Sequence, residues 1–257
     1  MSKLTLHLQS VPAWVPEFVR RSGIEWLKWI DPPEQEPVLR AMATADREEL
    51  LELTAALNAI HAVEDLGVKV IGRTFEDDGV SNERIWRGAA GAQEWFTKWR
   101  PFYLARPWVH CWEGPNEPQP MGDTIFQGRL LEFTIALGDL MHQNGLKFVG
   151  MNWGVGWPDV GTAAQFGPAM AHMDYLGLHE YAAPTMQDGN GFLTLRYRKT
   201  VAEIEAAGYQ VPPIIIGECG IDGGVIGRPK TGWRTFCDQF SCYLDQLKWY
   251  SAELERG

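Results

Sequence analysis

Seven short apolar runs alternate with longer amphipathic stretches, and this alternation restricts the fold more than any other feature of the chain. The runs cover 4–8, 24–30, 68–75, 108–112, 146–152, 173–179 and 213–218. Each is strand-length and rich in β-branched or aromatic residues. Between them the spacing predicts helices. In 46–66, Leu50, Leu53, Leu57 and Ile60 recur at helical intervals, and Gly67 stands where the helix must stop. A second helix is predicted over 122–144, capped by Asp123 or Thr124 and ended by Asn144-Gly145. Further helices fit 16–22, 89–99, 163–172, 193–207 and 233–254. Strand-then-helix alternation predicts a parallel sheet with right-handed crossovers. The Pro-rich stretch 31–37 reads as a long loop after the second strand.

Seven βα units in 257 residues fit one domain, 1–257. A doubly wound sheet and an eight-stranded barrel both satisfy the pattern. No Gly-x-Gly-x-x-Gly turn follows the first strand, which weakens the dinucleotide-binding version. A complete barrel needs an eighth strand after the last helix, and none is legible before residue 257. The expectation is a barrel truncated at its C-terminus, left open or closed unusually.

The formal net charge of -10 argues against a nucleic-acid partner, since neutralising phosphates takes an excess of Lys and Arg. A neutral polysaccharide remains compatible. Several of the 12 tryptophans fall near predicted strand ends, where flat apolar rings can meet a ligand, although most are expected to pack helices onto strands. Cys111, Cys219, Cys237 and Cys242 form no disulfide framework and no zinc pattern, so reduced buried thiols are expected. The last two lie five apart on a predicted helix. The N-terminus lacks a signal-peptide run and no stretch is long enough to span a bilayer. These features read as cytoplasmic, or as secreted if a leader was removed, with no membrane partner. Neither metal-ligand spacing nor a Gly-x-Ser-x-Gly elbow appears, and no cofactor is expected.

Two predicted strands end in carboxylates. The fourth runs into Trp112-Glu113-Gly114-Pro115-Asn116-Glu117-Pro118, the seventh into Ile214-Ile215-Ile216-Gly217-Glu218. Period-two alternation sets Ile214, Ile216 and Glu218 on one side; with Ile216 inside a barrel, Glu218 points into its mouth. A carboxylate there is costly unless it is hydrogen-bonded or used. Strands four and seven face each other across a barrel, so the two carboxyls can flank one bond. Cleavage of a glycosidic bond with retention needs such a pair about 5–5.5 Å apart. His179 and Tyr181 share a face of the sixth strand and are placed to orient a carboxylate and hold it ionised; Arg73, ending the third, is placed to do so by charge. Lys28, inside an apolar strand, is read either as a site residue or as the partner of Asp31 or another carboxylate. Trp112 and Trp153 are read as sugar contacts or as core. Glu113 and Glu180 read as structural acids.

Asn116-Glu117-Pro118 preceded by Trp112-Glu113, Glu218 after strand seven and His179-x-Tyr181 after strand six together resemble the retaining glycoside hydrolases of clan A. The resemblance runs from about Leu4 to Gly220 and implies a (β/α)8 TIM-barrel fold. It implies Glu117 as general acid/base, Glu218 as nucleophile, and Asn116 as a hydrogen-bond partner of the sugar 2-hydroxyl. Glu117 must then start protonated and Glu218 ionised. Two features depart from the clan: the aromatic platform that often comes with the eighth strand is missing, and Gly217 stands where many members carry a small hydroxyl residue. The implied substrate is an oligo- or polysaccharide. The rival expectations are a non-catalytic glycan-binding barrel and an aldolase-like barrel using Lys28 as a Schiff base.

Overall fold

The computed structural model describes residues 4–42 and 45–256. Its strands are β1 (His7–Leu8), β2 (Trp26–Ile30), β3 (Lys69–Arg73), β4 (Cys111–Glu113), β5 (Phe148–Trp153), β6 (Tyr175–Ala182) and β7 (Ile214–Ile221). The α-helices are α1 (Val15–Ser22), α2 (Gln35–Met42), α3 (Arg47–Leu66), α4 (Asp78–Ile85), α5 (Ala89–Leu104), α6 (Thr124–Gln143), α7 (Tyr197–Ala206) and α8 (Phe240–Arg256). Two compact units emerge: Thr5–Phe75 with Thr97–Glu113, and Glu76–Phe96 with 114–256 and Leu4.

The first unit holds β1 to β4, paired in chain order and in parallel. Gly72 of β3 lies under Trp112 of β4; a Cβ there would fall 2.4 Å from the indole, so glycine is what lets that ring lie flat. Tyr103 packs on the same indole at 4.7 Å between centroids, with Phe102 at 5.6 Å. Lys28 and Glu113 form a buried ion pair at 2.9 Å.

The second unit holds β5, β6 and β7, again parallel and in chain order. Its longest helix, α6, begins where Asp123 accepts from the amides of Ile125 and Phe126. Phe126, Leu130, Phe133, Leu137 and Met141 are buried, the stripe that a 3.6-residue period lays along one face. Sequential strand order without a reversal is the winding of a barrel, not of a doubly wound sheet. The fold class is therefore α/β of the (β/α)8 TIM-barrel type, with seven βα units and, among the described residues, no eighth strand after β7.

All seven apolar runs form strands, but several intervening segments differ from expectation. Only 31–34 is loop; α2 begins at Gln35, because a proline in a first helical turn sacrifices no hydrogen bond. α4 was not legible beforehand, although Asp77 caps it by accepting from Gly79 and Val80. The segment Ala163–His172 is a 3-10 helix with Pro168 inside it. It lies so close to α6 that a Cβ on Gly138 would sit 1.8 Å from the His172 carbonyl oxygen. The predicted helix 233–254 breaks into a 3-10 turn, Gly232–Thr235, and α8. Cys237 precedes α8 and forms a disulfide with Cys242, which corrects the expectation of reduced thiols for these two; Cys111 and Cys219 take part in no disulfide. On one continuous helix, residues five apart point about 140° away from each other, so this bond requires the break.

Candidate functional site

β6 supplies the centre of the site. His179 and Tyr181 alternate to one face, and Glu180 between them points to the other. Glu180 is fully buried and accepts from the backbone amides of Leu195 (2.6 Å) and Tyr197 (3.0 Å) and from the Tyr250 hydroxyl (2.5 Å). It ties β6 to the start of α7 and to α8. Burial raises its pKa, against the pull of those donors.

Glu218 reaches the site by a route that simple alternation does not describe. Leu178 pairs with Ile216 and the next residue, His179, pairs with Glu218, so Gly217 is an extra residue in β7. Ile216 packs with Ile221, Leu195 and Tyr250 in the cluster beneath the helices. The bulge at Gly217 reverses the alternation and turns Glu218 to the opposite side, beside His179. The expectation that Ile216 and Glu218 share a face is thus corrected; without the extra residue Glu218 would point toward α8.

Glu117 follows β4 in an uncommon conformation, φ +38°. Its amide donates to the carbonyl of Asn152 (3.1 Å), and Met151 and Asn152 also have positive φ, +69° and +44°. Three non-glycine residues in this region mark strain of the kind that gathers at functional sites. The Glu117 side chain lies against Gly154, where a Cβ would meet its carbons at 3.3–3.4 Å.

The two carboxylates meet at one imidazole. His179 Nδ1 donates to Glu117 Oε1 at 2.9 Å and lies 3.9 Å from Glu218 Oε2. These distances add to 6.8 Å, the greatest separation those two oxygens can have. The Tyr181 hydroxyl donates to Glu218 Oε2 at 3.2 Å. Burial, then the charge of Glu218, push the Tyr181 phenol far above its ordinary pKa, so it remains a donor. The His179 bond is the main influence holding the Glu117 carboxyl below the usual range; burial opposes it, and the charge of Lys230 adds to the lowering. The unliganded site thus favours an ionised Glu117, the opposite of the state expected of a resting general acid.

Asn116 stands next to Glu117, with Oδ1 buried and unpartnered. Trp153 is fully buried against Phe166, in packing and away from any open surface. Lys28, Arg73 and Trp112 belong to the other unit: Lys28 in its ion pair with Glu113, Trp112 over Gly72, and Arg73 buried at the end of β3. The site so brings together Glu117, Glu218, His179 and Tyr181. Sequence reading missed Lys230 and Gly154. Each had a signal: a cation in the loop after the last strand, and a glycine directly after β5.

Among the described residues, no group of three or more His, Cys, Asp or Glu side chains could hold a metal ion, and no helix is long and apolar enough to cross a membrane. No protein-family model and no curated protein matches the chain.

Proposed function

We propose that this chain is a retaining glycoside hydrolase acting on an oligo- or polysaccharide. The observation that carries the reading is the meeting of two carboxylates, from the ends of β4 and β7, at His179 Nδ1. A ceiling of 6.8 Å on one pair of their oxygens accommodates the ~5–5.5 Å carboxyl separation of retaining enzymes. Glu218 attacks the anomeric carbon, and its bond to the leaving oxygen breaks as Glu117 protonates that oxygen. A glycosyl ester on Glu218 results. Glu117, now ionised, takes a proton from water, whose oxygen attacks the same carbon and frees Glu218. Tyr181 keeps Glu218 oriented through its hydroxyl. Asn116 Oδ1 is a buried acceptor suited to a sugar hydroxyl.

His179 sets the protonation balance. By favouring ionised Glu117 it supports the second, base-catalysed half of the cycle. The first half then runs best at acidic pH, where Glu117 carries its proton. The Cys237–Cys242 disulfide supports work in an oxidising compartment, away from the cytoplasm.

The test is hydrolysis of a panel of glycans, followed by NMR of the first-formed anomer, with wild type and Glu218→Gln. Retention by the wild type and a loss of about 10³-fold or more in the variant are expected. Equal rates, or a first product of inverted configuration, would overturn the mechanism.

A further inference from the structure

Of the 12 tryptophans, every one but Trp157 lies against another aromatic ring. Among the described residues no aromatic ring and no cation packs on Trp157, and it is only half-buried. Its position makes that ring informative. The Trp157 amide donates to the carbonyl of Gly154 at 3.1 Å, closing the tight turn after β5. Gly154 is the residue against which the Glu117 side chain lies. The indole edge reaches to 3.9 Å from where a Gly122 Cβ would stand, in the loop after β4, and Leu193 reaches to 3.6 Å from the equivalent point on Gly156, in the loop after β6. Two neighbouring loops therefore hold the turn and its ring in place.

Strand order adds a direction. β5 and β7 flank β6 on opposite sides, so the turn after β5 that carries Gly154 and Trp157 lies across β6 from Glu218, with its Gly154 against Glu117. The sugar that departs is the one whose oxygen Glu117 protonates. We propose that Trp157 is the surface on which the pyranose of the leaving group stacks, through the apolar C–H face of a β-linked hexose. This rests on the glycosidase reading and adds to it where the leaving half of the substrate lies. An indole that no other ring or cation covers gains from an apolar sugar face laid on its solvent-reaching part, and the contact at its edge limits the entropy lost on stacking.

The experiment compares wild type, Trp157→Ala and Trp157→Phe on β-linked gluco-, manno- and galacto-oligosaccharides and on the matching β-glycosyl fluorides, whose leaving group has no ring. For Trp157→Ala, kcat/KM is expected to fall about tenfold further on the oligosaccharide than on the fluoride, with Trp157→Phe recovering most of the difference. Equal losses on both substrates, or none, would overturn the assignment. Calorimetric titration of the same oligosaccharides into Glu218→Gln and Glu218→Gln/Trp157→Ala separates this idea from the function on which it rests. A wild type that hydrolyses nothing refutes the glycosidase, yet about tenfold weaker binding by the double variant would still support stacking. Equal binding by the two, or no binding by either, overturns it.

Discussion

Glu180→Ala is expected to destabilise the protein severely although Glu180 takes no part in the proposed chemistry. Its carboxylate serves three donors, the Leu195 and Tyr197 amides and the Tyr250 hydroxyl. Alanine strips all of them of their acceptor. A buried donor left unsatisfied costs about 1–3 kcal/mol. The three are neighbours and do not add independently, and Tyr197 is near enough to the surface to recover a water, so the total is roughly 3–6 kcal/mol. That is a large part of the ~5–15 kcal/mol that holds a folded protein together, and at ~2–4 °C per kcal/mol it lowers Tm by about 10 °C or more. Glu180→Gln keeps one acceptor oxygen and is expected to fall between the two. Burial raises the folded-state pKa of Glu180 above its unfolded value, so the folded protein holds that proton more tightly. The stability this contributes is fully present below the unfolded pKa and is lost as pH rises through the folded one. The glutamine variant does not titrate, so its deficit relative to wild type shrinks as pH rises. Urea unfolding followed by circular dichroism across pH 4 to 9 measures both effects. An alanine variant within about 1 kcal/mol of wild type, or a glutamine deficit that grows with pH, would refute the account.

Two further outcomes are expected. The alkaline limb of the kcat/KM profile reports protonated Glu117, and the His179 bond is the main influence lowering that carboxyl, so His179→Ala should move the limb to higher pH; a limb that stays, or moves down, contradicts the bridge. Lys28→Met strands the buried Glu113 carboxylate and should cost about 3–5 kcal/mol in urea unfolding, while Lys28→Met/Glu113→Leu recovers much of it; a double variant no better than the single would show that the pair is not what Lys28 contributes.

The seven strands and most helices were legible because their evidence is local. A period of two or 3.6 is a property of a dozen consecutive residues, and caps such as Asp123 act within one turn. Two carboxylates at strand ends are equally visible in the one-dimensional order. The face on which Glu218 emerges was not, because it depends on Gly217 having no partner in β6, and register belongs to a pair of strands. Trp153 and Trp157 show the same limit. Four residues apart at the end of β5, they are indistinguishable as sequence; one is sealed against Phe166 and the other is partly open to solvent.

The chain's own order of residues therefore determined the alternating parallel architecture and the candidates for chemistry, since periodicity and residue type act over short range. Only the tertiary structure decided that Glu117 and Glu218 meet at His179, with Tyr181 bonded to Glu218, while Lys28 pairs with Glu113 and Trp112 packs over Gly72 in the other unit, and that Cys237 bonds to Cys242. Convergence and burial depend on which distant segments come to lie together, and a side chain's chemistry changes with its neighbours: the same carboxyl is pushed up at Glu180 by burial and held down at Glu117 by an imidazole.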